Sequence, residues 1–162
     1  MHQNVHKPLI VFTPKSLLSR AEAVSPHREF LAPSRFHEVL PDPDAPAPDQ
    51  VTRAVFCTGK VYYDLAAYRK ERNISDTVII RLEQIYPLAP YQKVRDFVWC
   101  QEEPSNMGAW GHLRNRMGRL FATSFRYAGR PPMACPAEGA KALHAAAQKR
   151  LIATAFGPRA QS

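Results

Sequence analysis

The sequence predicts an α/β protein with three layers: a mostly parallel sheet with helices on both faces. From Arg53 onward, short apolar runs alternate with segments of helical spacing, the pattern of a parallel sheet with crossover helices. The runs AVFC (54–57) and FVWC (97–100) are continuously apolar and TVIIRL (77–82) is rich in β-branched residues, as expected for strands covered on both faces. An isolated strand and a Pro-rich linker are predicted before this unit.

The N-terminal part of the chain supplies that strand and linker. LIVF at 9–12 predicts a buried strand that ends at Thr13–Pro14, and a short helix is expected to begin within 15–20. Residues 25–50 contain six prolines, and the stretch PDPDAPAPD can sustain neither a helix nor a central strand. The predicted divisions are residues 1–20 with the isolated strand, an extended linker over 21–50 and the main α/β domain over 51–162.

Three segments of the main domain have the spacing of amphipathic helices. They are Lys60–Arg72, Asn106–Phe121 with Asn106 as its N-cap, and Ala140–Ala155. The side chains expected to face the sheet are Val61, Leu65 and Tyr68, then Trp110, Leu113, Met117 and Leu120, then Leu143, Ala147 and Leu151. TSFRY at 123–127 predicts a fourth strand. The connection over 83–95 is long enough for a parallel crossover, but it has two prolines and no helical spacing.

Charge and hydropathy exclude two classes of partner. The net charge is +8, which invites a nucleic-acid interpretation, but the basic residues are spread out and no RNA-recognition or zinc-finger signature is present. No apolar run approaches the roughly 20 residues that cross a bilayer, and the N-terminal run is too short for a signal peptide. We therefore expect neither nucleic acid nor membrane as a partner, and a cytoplasmic or, in a eukaryote, a mitochondrial location.

The cysteines predict reduced thiols. Cys57 and Cys100 lie in apolar runs, Cys135 lies far from both, and the chain has no CxxC. An odd number of widely spaced cysteines favours buried free thiols over a disulfide framework or a zinc site. No metal site is expected.

Five motifs occur in order along the chain: KPLIVFTPKSLLSR, TGKVYYDL, RLEQIYPL, DFVWCQEEPSNMGAW and SFRYAGRPPMACPAEG. Together they resemble the C-terminal end of 2-oxoglutarate dehydrogenase, the thiamine-diphosphate-dependent first component of its multienzyme complex. The resemblance runs from about Lys7 to Phe156 and is weakest in the linker. WCQEEP and RYAGRP are its most specific parts.

The resemblance implies a transketolase-like architecture, in which two thiamine-binding domains precede a smaller C-terminal α/β domain. Residues 1–20 would then hold the last strand of the second thiamine-binding domain. In the complete enzyme the resemblance implies thiamine diphosphate and Mg²⁺, a homodimer, and dihydrolipoyl succinyltransferase as a partner. The reaction would be the oxidative decarboxylation of 2-oxoglutarate in the citric acid cycle, and this domain would support dimerisation and domain packing.

The sequence departs from the family in two respects. It has no GDG-type thiamine-diphosphate motif and no preceding domain to supply the activating glutamate. We therefore expect a C-terminal fragment, beginning at what resembles an internal methionine, that binds no cofactor and has no catalytic activity alone. The connection over 83–95 is also shorter than in the family by about a dozen residues, the length of a crossover helix. We expect this to leave part of one sheet face uncovered.

Glu102 and Glu103 follow the strand FVWC, at the edge of the predicted sheet where α/β proteins bind ligands. A general acid–base pair would need environments that separate the two pKa values, but adjacent residues of an extended segment point in opposite directions. We therefore favour a structural role, in which one acid pairs with an arginine or caps the following helix and the other faces solvent or a partner subunit. Trp99 and Trp110 are expected to be core or interface aromatics.

Lys60 is the first of three candidate anion-binding residues. Thr58–Gly59–Lys60 follows a strand and opens a helix, whose free N–H groups could bind an anion, although an ordinary strand-to-helix turn explains these residues equally well. His112 and His144 have no nucleophile nearby in the sequence and are expected to be surface or packing residues.

Arg126 and Arg130 are the other two candidates. They flank a turn predicted at Gly129 and could hold a phosphate or carboxylate bidentately; the resemblance implies a nucleotide-bearing effector. Salt bridges to acids such as Glu102 or Glu138 are the alternative.

Two functional hypotheses remain from the sequence. The first is a C-terminal portion of 2-oxoglutarate dehydrogenase that works with the remaining domains of that enzyme. The second is a stand-alone α/β module that binds an anionic effector or a partner subunit. Pairing of the 9–12 strand with the main sheet would favour the module.

Overall fold

The computed structural model describes residues 10, 13–31, 33–84, 94, 96–121 and 125–158. Their strands are β1 (Val39–Leu40), β2 (Arg53–Cys57), β3 (Thr77–Leu82), β4 (Asp96–Pro104) and β5 (Phe125–Arg130), and their α-helices are α1 (Val61–Glu71), α2 (Trp110–Phe121) and α3 (Lys141–Phe156). The predicted strand over 9–12 lies outside the described residues, apart from Ile10, which is in no strand. The isolated strand over 9–12 therefore stays a prediction.

The described strands form one sheet in the order β1-β3-β2-β4-β5. β2 is parallel to β3 and to β4, and β4 is parallel to β5, whereas β1 runs antiparallel to β3. α1 and α3 pack on one face and α2 on the other. The predicted α/β architecture, a mostly parallel sheet between two helical layers, is confirmed. Most of the connection from β3 to β4 lies outside the described residues.

Alternate residues of each strand point to opposite faces of the sheet, which divides the core into two clusters. Along β2, Val55 and Cys57 join the cluster under α1 and α3, while Ala54 and Phe56 join the cluster under α2. The helices complete the first cluster with Val61, Leu65, Leu151, Ile152 and Ala155. Continuous apolar strands therefore produce a sheet with no solvent-facing side over β2.

The short 83–95 connection was expected to leave part of one sheet face uncovered, and the face under α2 bears on that expectation. Six of its described strand side chains are at most 1% exposed, namely Ala54, Phe56, Ile80, Leu82, Phe97 and Trp99, while Val39, Val78, Phe125 and Tyr127 are partly buried. Leu113 and Met117 of α2 are also fully buried. The prediction of an uncovered face is wrong for these six strand residues, which share one buried cluster with Leu113 and Met117 of α2.

Part of the predicted linker belongs to the sheet. Val39 and Leu40 pair with Leu82 and Arg81 at the outer edge of β3, a position at which neighbouring prolines are tolerated. We call the residues before them, 13–31 and 33–38, the arm. The arm contains three short 3₁₀ helices, at Lys15–Ser19, Ala21–Ala23 and His27–Phe30, and none of their residues is buried.

Several predicted element bounds need correction. β5 continues to Arg130 instead of ending in a turn at Gly129, because Ala128 and Arg130 still pair with β4 across an irregularity. α2 begins at Trp110 rather than after Asn106, whose side chain instead bonds the backbone of Met133. Leu143 is 62% exposed, since burial of α3 begins only at Ala147. No helix within the described ranges has the length and hydropathy to cross a membrane.

Candidate functional site

The candidate site is the carboxyl edge of the sheet, where β2, β3, β4 and β5 end. The chain leaves β2 toward β3 through α1 on one face and leaves β4 toward β5 through α2 on the other. Ligands of open α/β sheets bind where the connections diverge in this way. Here that position lies between the ends of β2 and β4, and it brings together Lys60 and Glu102.

Lys60 and Glu102 form an ion pair with 2.5 Å between Nζ and Oε1. Gly59 turns the chain out of β2 with a φ of +66°, a conformation that glycine adopts without a steric penalty, and Lys60 then precedes the first turn of α1. Lys60 Nζ also lies 3.9 Å from Asp64. The predicted partner of one of the two acids was an arginine or the start of the following helix. The structure instead pairs Glu102 with Lys60, and Glu103 is exposed.

Asp64 links this pair to the arm and to α3. It accepts hydrogen bonds from Arg20 Nη1 at 3.3 Å and from Gln148 Nε2 at 3.0 Å. Arg20 also lies over the ring of Tyr63, 5.2 Å from its centroid. The first turn of α1 is therefore surrounded by paired charges.

Gln101 organises the loop that follows β4. Its buried Oε1 accepts hydrogen bonds from Trp99 Nε1–H at 2.7 Å and from the Trp110 backbone N–H at 3.0 Å. Its Nε2 lies within hydrogen-bond distance of three backbone carbonyls, those of Glu103, Pro104 and Met107. The amide thus fixes the start of α2 relative to β4, a role that sequence reasoning missed.

Arg130 lies at the end of β5 with only 2% of its side chain exposed. Its Nε lies 3.0 Å from both carboxylate oxygens of Glu138, its Nη1 donates to the Glu102 carbonyl, and its Nη2 lies 3.2 Å from His144 Nδ1. The salt bridge to Glu138 is one of the two alternatives that the sequence left open. It closes the loop between β5 and α3 onto the end of β4.

Gly129 and Tyr127 explain the close packing of the RYAGRP motif. A Cβ at Gly129 would collide with the Tyr127 ring and lie 3.0 Å from the Gln101 carbonyl oxygen, so only glycine fits. The Tyr127 hydroxyl lies 2.9 Å from the Arg130 carbonyl oxygen and 3.0 Å from that of Glu103. Burial raises the pKa of Tyr127 to about 12, so the hydroxyl remains a donor at neutral pH.

Arg126 lies at the opposite, amino end of the sheet. Its guanidinium binds Asp96 through Nε at 2.9 Å and Nη2 at 3.0 Å, and Arg53 Nε binds the same carboxylate at 2.6 Å. Burial opposes the charge of Asp96, but the hydrogen bonds from Arg126 and Arg53 outweigh it and hold the pKa of the carboxyl below its ordinary value. Asp96 ties the beginnings of β2, β4 and β5 together.

The structure therefore brings Lys60 and Arg130 to one edge of the sheet and places Arg126 at the other. Each of the three cations already faces a carboxylate of the chain. An anionic effector would have to compete with Glu102, Asp96 or Glu138, and binding of such an effector stays a prediction.

The remaining candidates are aromatic or sulfur-containing. Trp99 is fully buried, whereas Trp110 is partly buried and stacks on Phe125 with ring centroids 5.8 Å apart. A contact of Trp110 or Glu103 with a partner subunit stays a prediction. Cys57 and Cys100 are buried free thiols, as predicted, and burial raises the pKa of both; Cys135 is exposed.

Asp42 is the second residue that sequence reasoning missed. It lies in the proline-rich stretch, yet its side chain is fully buried. It binds both terminal nitrogens of Arg69 and accepts the Ile79 N–H at 2.9 Å. Its only signal was an acid followed by a proline in the predicted linker, which is too common a pattern to indicate burial.

Comparison with known proteins agrees with this fold. The family model "2-oxoglutarate dehydrogenase C-terminal" matches residues 24–156. The chain is 44% identical over 161 residues to the 2-oxoglutarate dehydrogenase E1 component of Cupriavidus necator, a match that covers 93% of this chain and 17% of that protein. It is 42% identical over 166 residues to the E1 component of Azotobacter vinelandii, with 94% and 18% covered.

A mitochondrial 2-oxoglutarate dehydrogenase is similar to the same extent. The protein of Caenorhabditis elegans is 42% identical over 166 residues, covering 93% of this chain and 16% of the relative. The chain thus spans less than a fifth of the length of these relatives. Its five motifs, its α/β sheet and these matches agree: the chain belongs to the 2-oxoglutarate dehydrogenase C-terminal family.

Proposed function

We propose that this chain serves as the C-terminal domain of a 2-oxoglutarate dehydrogenase E1 component and supports domain packing and dimer formation. The distribution of exposed apolar side chains carries this proposal. Of the seven large ones among the described residues, six lie within residues 10–36: Ile10, Leu18, Val24, Phe30, Leu31 and Phe36. Concentrated apolar exposure of this kind indicates an interaction surface, and here it directly precedes the sheet domain.

We divide the chain accordingly. Residues 1–20 would complete the preceding domain, residues 21–50 would link the two, with β1 and Asp42 docked on the sheet, and residues 51–162 would form the C-terminal domain. The homodimer and dihydrolipoyl succinyltransferase would be partners of the complete enzyme. We expect it in the bacterial cytoplasm or, in a eukaryote, in the mitochondrial matrix.

We assign thiamine diphosphate and Mg²⁺ to the part of the enzyme that this chain does not match. In the described part of the chain, no group of three or more His, Cys, Asp or Glu side chains is placed to hold a metal ion. We therefore derive no catalytic step from these residues.

A chimera tests the proposal. The matching C-terminal segment of the Cupriavidus necator E1 component would be replaced by this chain, and 2-oxoglutarate decarboxylation and dimer formation would be measured with thiamine diphosphate and Mg²⁺. We expect an active dimer. Leu18→Ser with Val24→Ser should weaken association about tenfold, as loss of a buried apolar anchor does.

Leu143→Ser is the matched control, because Leu143 is also a large exposed apolar residue but lies on α3, away from residues 10–36; it should leave activity and association unchanged. A folded but inactive chimera, or arm variants that behave like the Leu143 variant, would contradict the proposal. So would decarboxylation by the isolated chain.

A further inference from the structure

We infer that the outward side of α3 binds an acidic amphipathic helix of a partner protein. The first support for this is the distribution of charge along the chain. Residues 1–103 contain thirteen basic and thirteen acidic residues, whereas residues 104–162 contain nine basic residues and a single acid, Glu138. The whole net charge of +8 therefore lies within residues 104–162. Such an asymmetry favours association with an anionic partner.

The cations of α3 are not neutralised within the described part of the chain. Glu138 is 13% exposed and already binds Arg130, and α3 itself contains no acid. Lys149 and Arg150 are exposed on α3, and their side chains form no ion pair with any described residue. Both charges are therefore available to a partner.

Leu143 lies on the same side of α3 as these two cations. The side chains that α3 buries against the domain are Ala147, Leu151, Ile152 and Ala155. At 3.6 residues per turn, Leu143, Lys149 and Arg150 point away from that buried side, and Leu143 is 62% exposed. We call these three residues the α3 surface. A large apolar side chain beside two unpaired cations matches a helix with an apolar stripe and acids, which binds through both.

The order of these residues favours a partner helix that runs antiparallel to α3. Arg150 lies about 10 Å beyond Leu143 along the helix axis, at 1.5 Å per residue. An antiparallel partner would place acids of its first turns against Lys149 and Arg150, and an apolar side chain two turns later against Leu143. Acids in the first turns are also stabilised by the dipole of their own helix.

Other occupants fit the α3 surface less well. A second copy docked through the same helix would bring the same cations and no acid, and like charges repel. Nucleic acid binds cations through its phosphates and would leave Leu143 without an apolar partner. The α3 surface also lies outside the arm, so the inference does not depend on the proposed function.

Titration of the 162-residue chain with a synthetic helical peptide tests the α3 surface. The peptide has glutamates on one face of its first two turns and leucines on the same face of its last two. Fluorescence anisotropy should show saturable one-to-one binding. Replacing the glutamates by glutamines, or exchanging the two halves of the peptide, should weaken binding about tenfold.

Three variants separate charge from apolar contact. Arg150→Glu should weaken binding about tenfold, with a smaller loss at high salt, because salt screens exposed charges. Leu143→Ser should weaken binding to a similar extent at low and high salt. Arg114→Glu is the matched control, since Arg114 is equally an exposed arginine but lies on α2, across the sheet from α3; it should leave binding unchanged.

Four results would overturn the inference. They are an absence of saturable binding up to about 1 mM peptide, equal affinity for the glutamate and glutamine peptides, equal losses in the Arg150 and Arg114 variants, and binding of duplex DNA or phosphatidylserine vesicles as tight as that of the peptide. Circular dichroism checks that each variant is folded. If Arg150→Glu does not fold, Leu143→Ser and the comparison of the two peptides decide.

The chimera with the Cupriavidus necator E1 component distinguishes a partner protein from the enzyme itself. The folded chimera should bind the peptide as tightly as the isolated chain does. Loss of peptide binding in the folded chimera would mean that another domain of the enzyme covers α3, and would also overturn the inference.

Discussion

The sheet domain and the arm are held in place by different forces. The sheet domain buries apolar side chains from both faces of its central strands. The arm leaves its large apolar side chains exposed. Two ion pairs attach this part of the chain to α1: Arg20 of the arm binds Asp64, and Asp42, which follows the arm, binds Arg69. Apolar side chains therefore stabilise the sheet domain, whereas those of the arm remain available for contacts with another surface.

The two anchors are unequal. The Arg20 and Asp64 side chains are 29% and 28% exposed, and ion pairs near the surface contribute about 0–1 kcal/mol. Asp42 is fully buried and Arg69 is 7% exposed, so each needs the other's charge. Substitution of Asp42 should therefore lower the free energy of unfolding more than substitution of any residue in the arm.

Asp42→Ala should have the largest effect. Removing the carboxylate leaves the Ile79 N–H without its acceptor and the buried Arg69 guanidinium without its opposite charge, although Arg69 still donates to the Thr77 carbonyl. Loss of one partner of a buried pair costs about 3–5 kcal/mol. Urea unfolding should report that decrease, and hydrogen exchange of the Ile79 amide should accelerate. Asp44→Ala is the control: Asp44 is 83% exposed and 4.0 Å from Arg69, so its loss should cost less than about 0.5 kcal/mol.

Asp96→Asn tests an ion pair within the sheet domain. It should lower the free energy of unfolding by about 3 kcal/mol at neutral pH, because Arg53 and Arg126 lose their shared carboxylate. The pKa of Asp96 is held below its ordinary value. Ionised Asp96 therefore stabilises the folded protein fully above the pKa of about 3.9 that its carboxyl has in the unfolded chain. This stabilisation is lost as the pH falls through the lower pKa of the folded state.

The variant should thus lose less stability than the wild type between neutral and strongly acidic pH, as measured by urea unfolding at each pH. Asp49→Asn, at an exposed position, is the isosteric control. A variant with the same acid dependence as the wild type would mean that another carboxylate governs this range.

Glu102→Gln should lower the free energy of unfolding by only about 0.5–1 kcal/mol, and this loss should diminish as salt is added. Glu102 and Lys60 are 23% and 26% exposed, so water screens their pair. Glu103→Gln, at the adjacent exposed position, should leave unfolding unchanged. A large loss at Glu102 would mean that the carboxyl edge contributes as much to stability as the buried core.

Leu18→Ser should have the smallest effect, within about 0.5 kcal/mol in the isolated chain, because Leu18 is 78% exposed. Leu65→Ala, at a fully buried position of α1, should cost about 2–5 kcal/mol by comparison. Urea unfolding measures both. If the Leu18 variant lost more than about 1 kcal/mol, the arm would pack on the domain more closely than the structure indicates.

The sequence predicted the main sheet well because its signals are local and strong. Continuous apolar runs located β2, β3 and the start of β4, and helical spacing located α1 and α3 to within a residue or two. The predicted end of β4 at Cys100 was wrong, because the strand continues through Glu102 and Glu103 to Pro104. Bounds that depend on partners were harder to predict. Gly129 resembled a turn, but pairing with β4 carries the strand through it to Arg130, and Asn106 resembled an N-cap but bonds Met133 instead.

The candidate site was predicted in part. The apolar runs predicted that Glu102 and Lys60 lie near the carboxyl edge of the sheet. Their ion pair, however, depends on β2 and β4 being neighbours in the sheet, which the order of residues does not determine. Arg126 and Arg130 are close in sequence, yet an extended strand separates them by about 13 Å at 3.3 Å per residue. They consequently bind different acids at opposite edges.

The sequence by itself indicated the family through the resemblance of its five ordered motifs. It also determined the α/β class, the covered sheet and the buried cysteines, since composition and periodicity record what must leave water. Only the tertiary structure decided where the charges lie. An ion pair such as Asp42 with Arg69 joins residues distant in sequence, and its geometry exists only once the strands and α1 have packed. Polar contacts are directional and short, so they depend on that packing, whereas apolar burial is non-directional and can be predicted from the pattern alone.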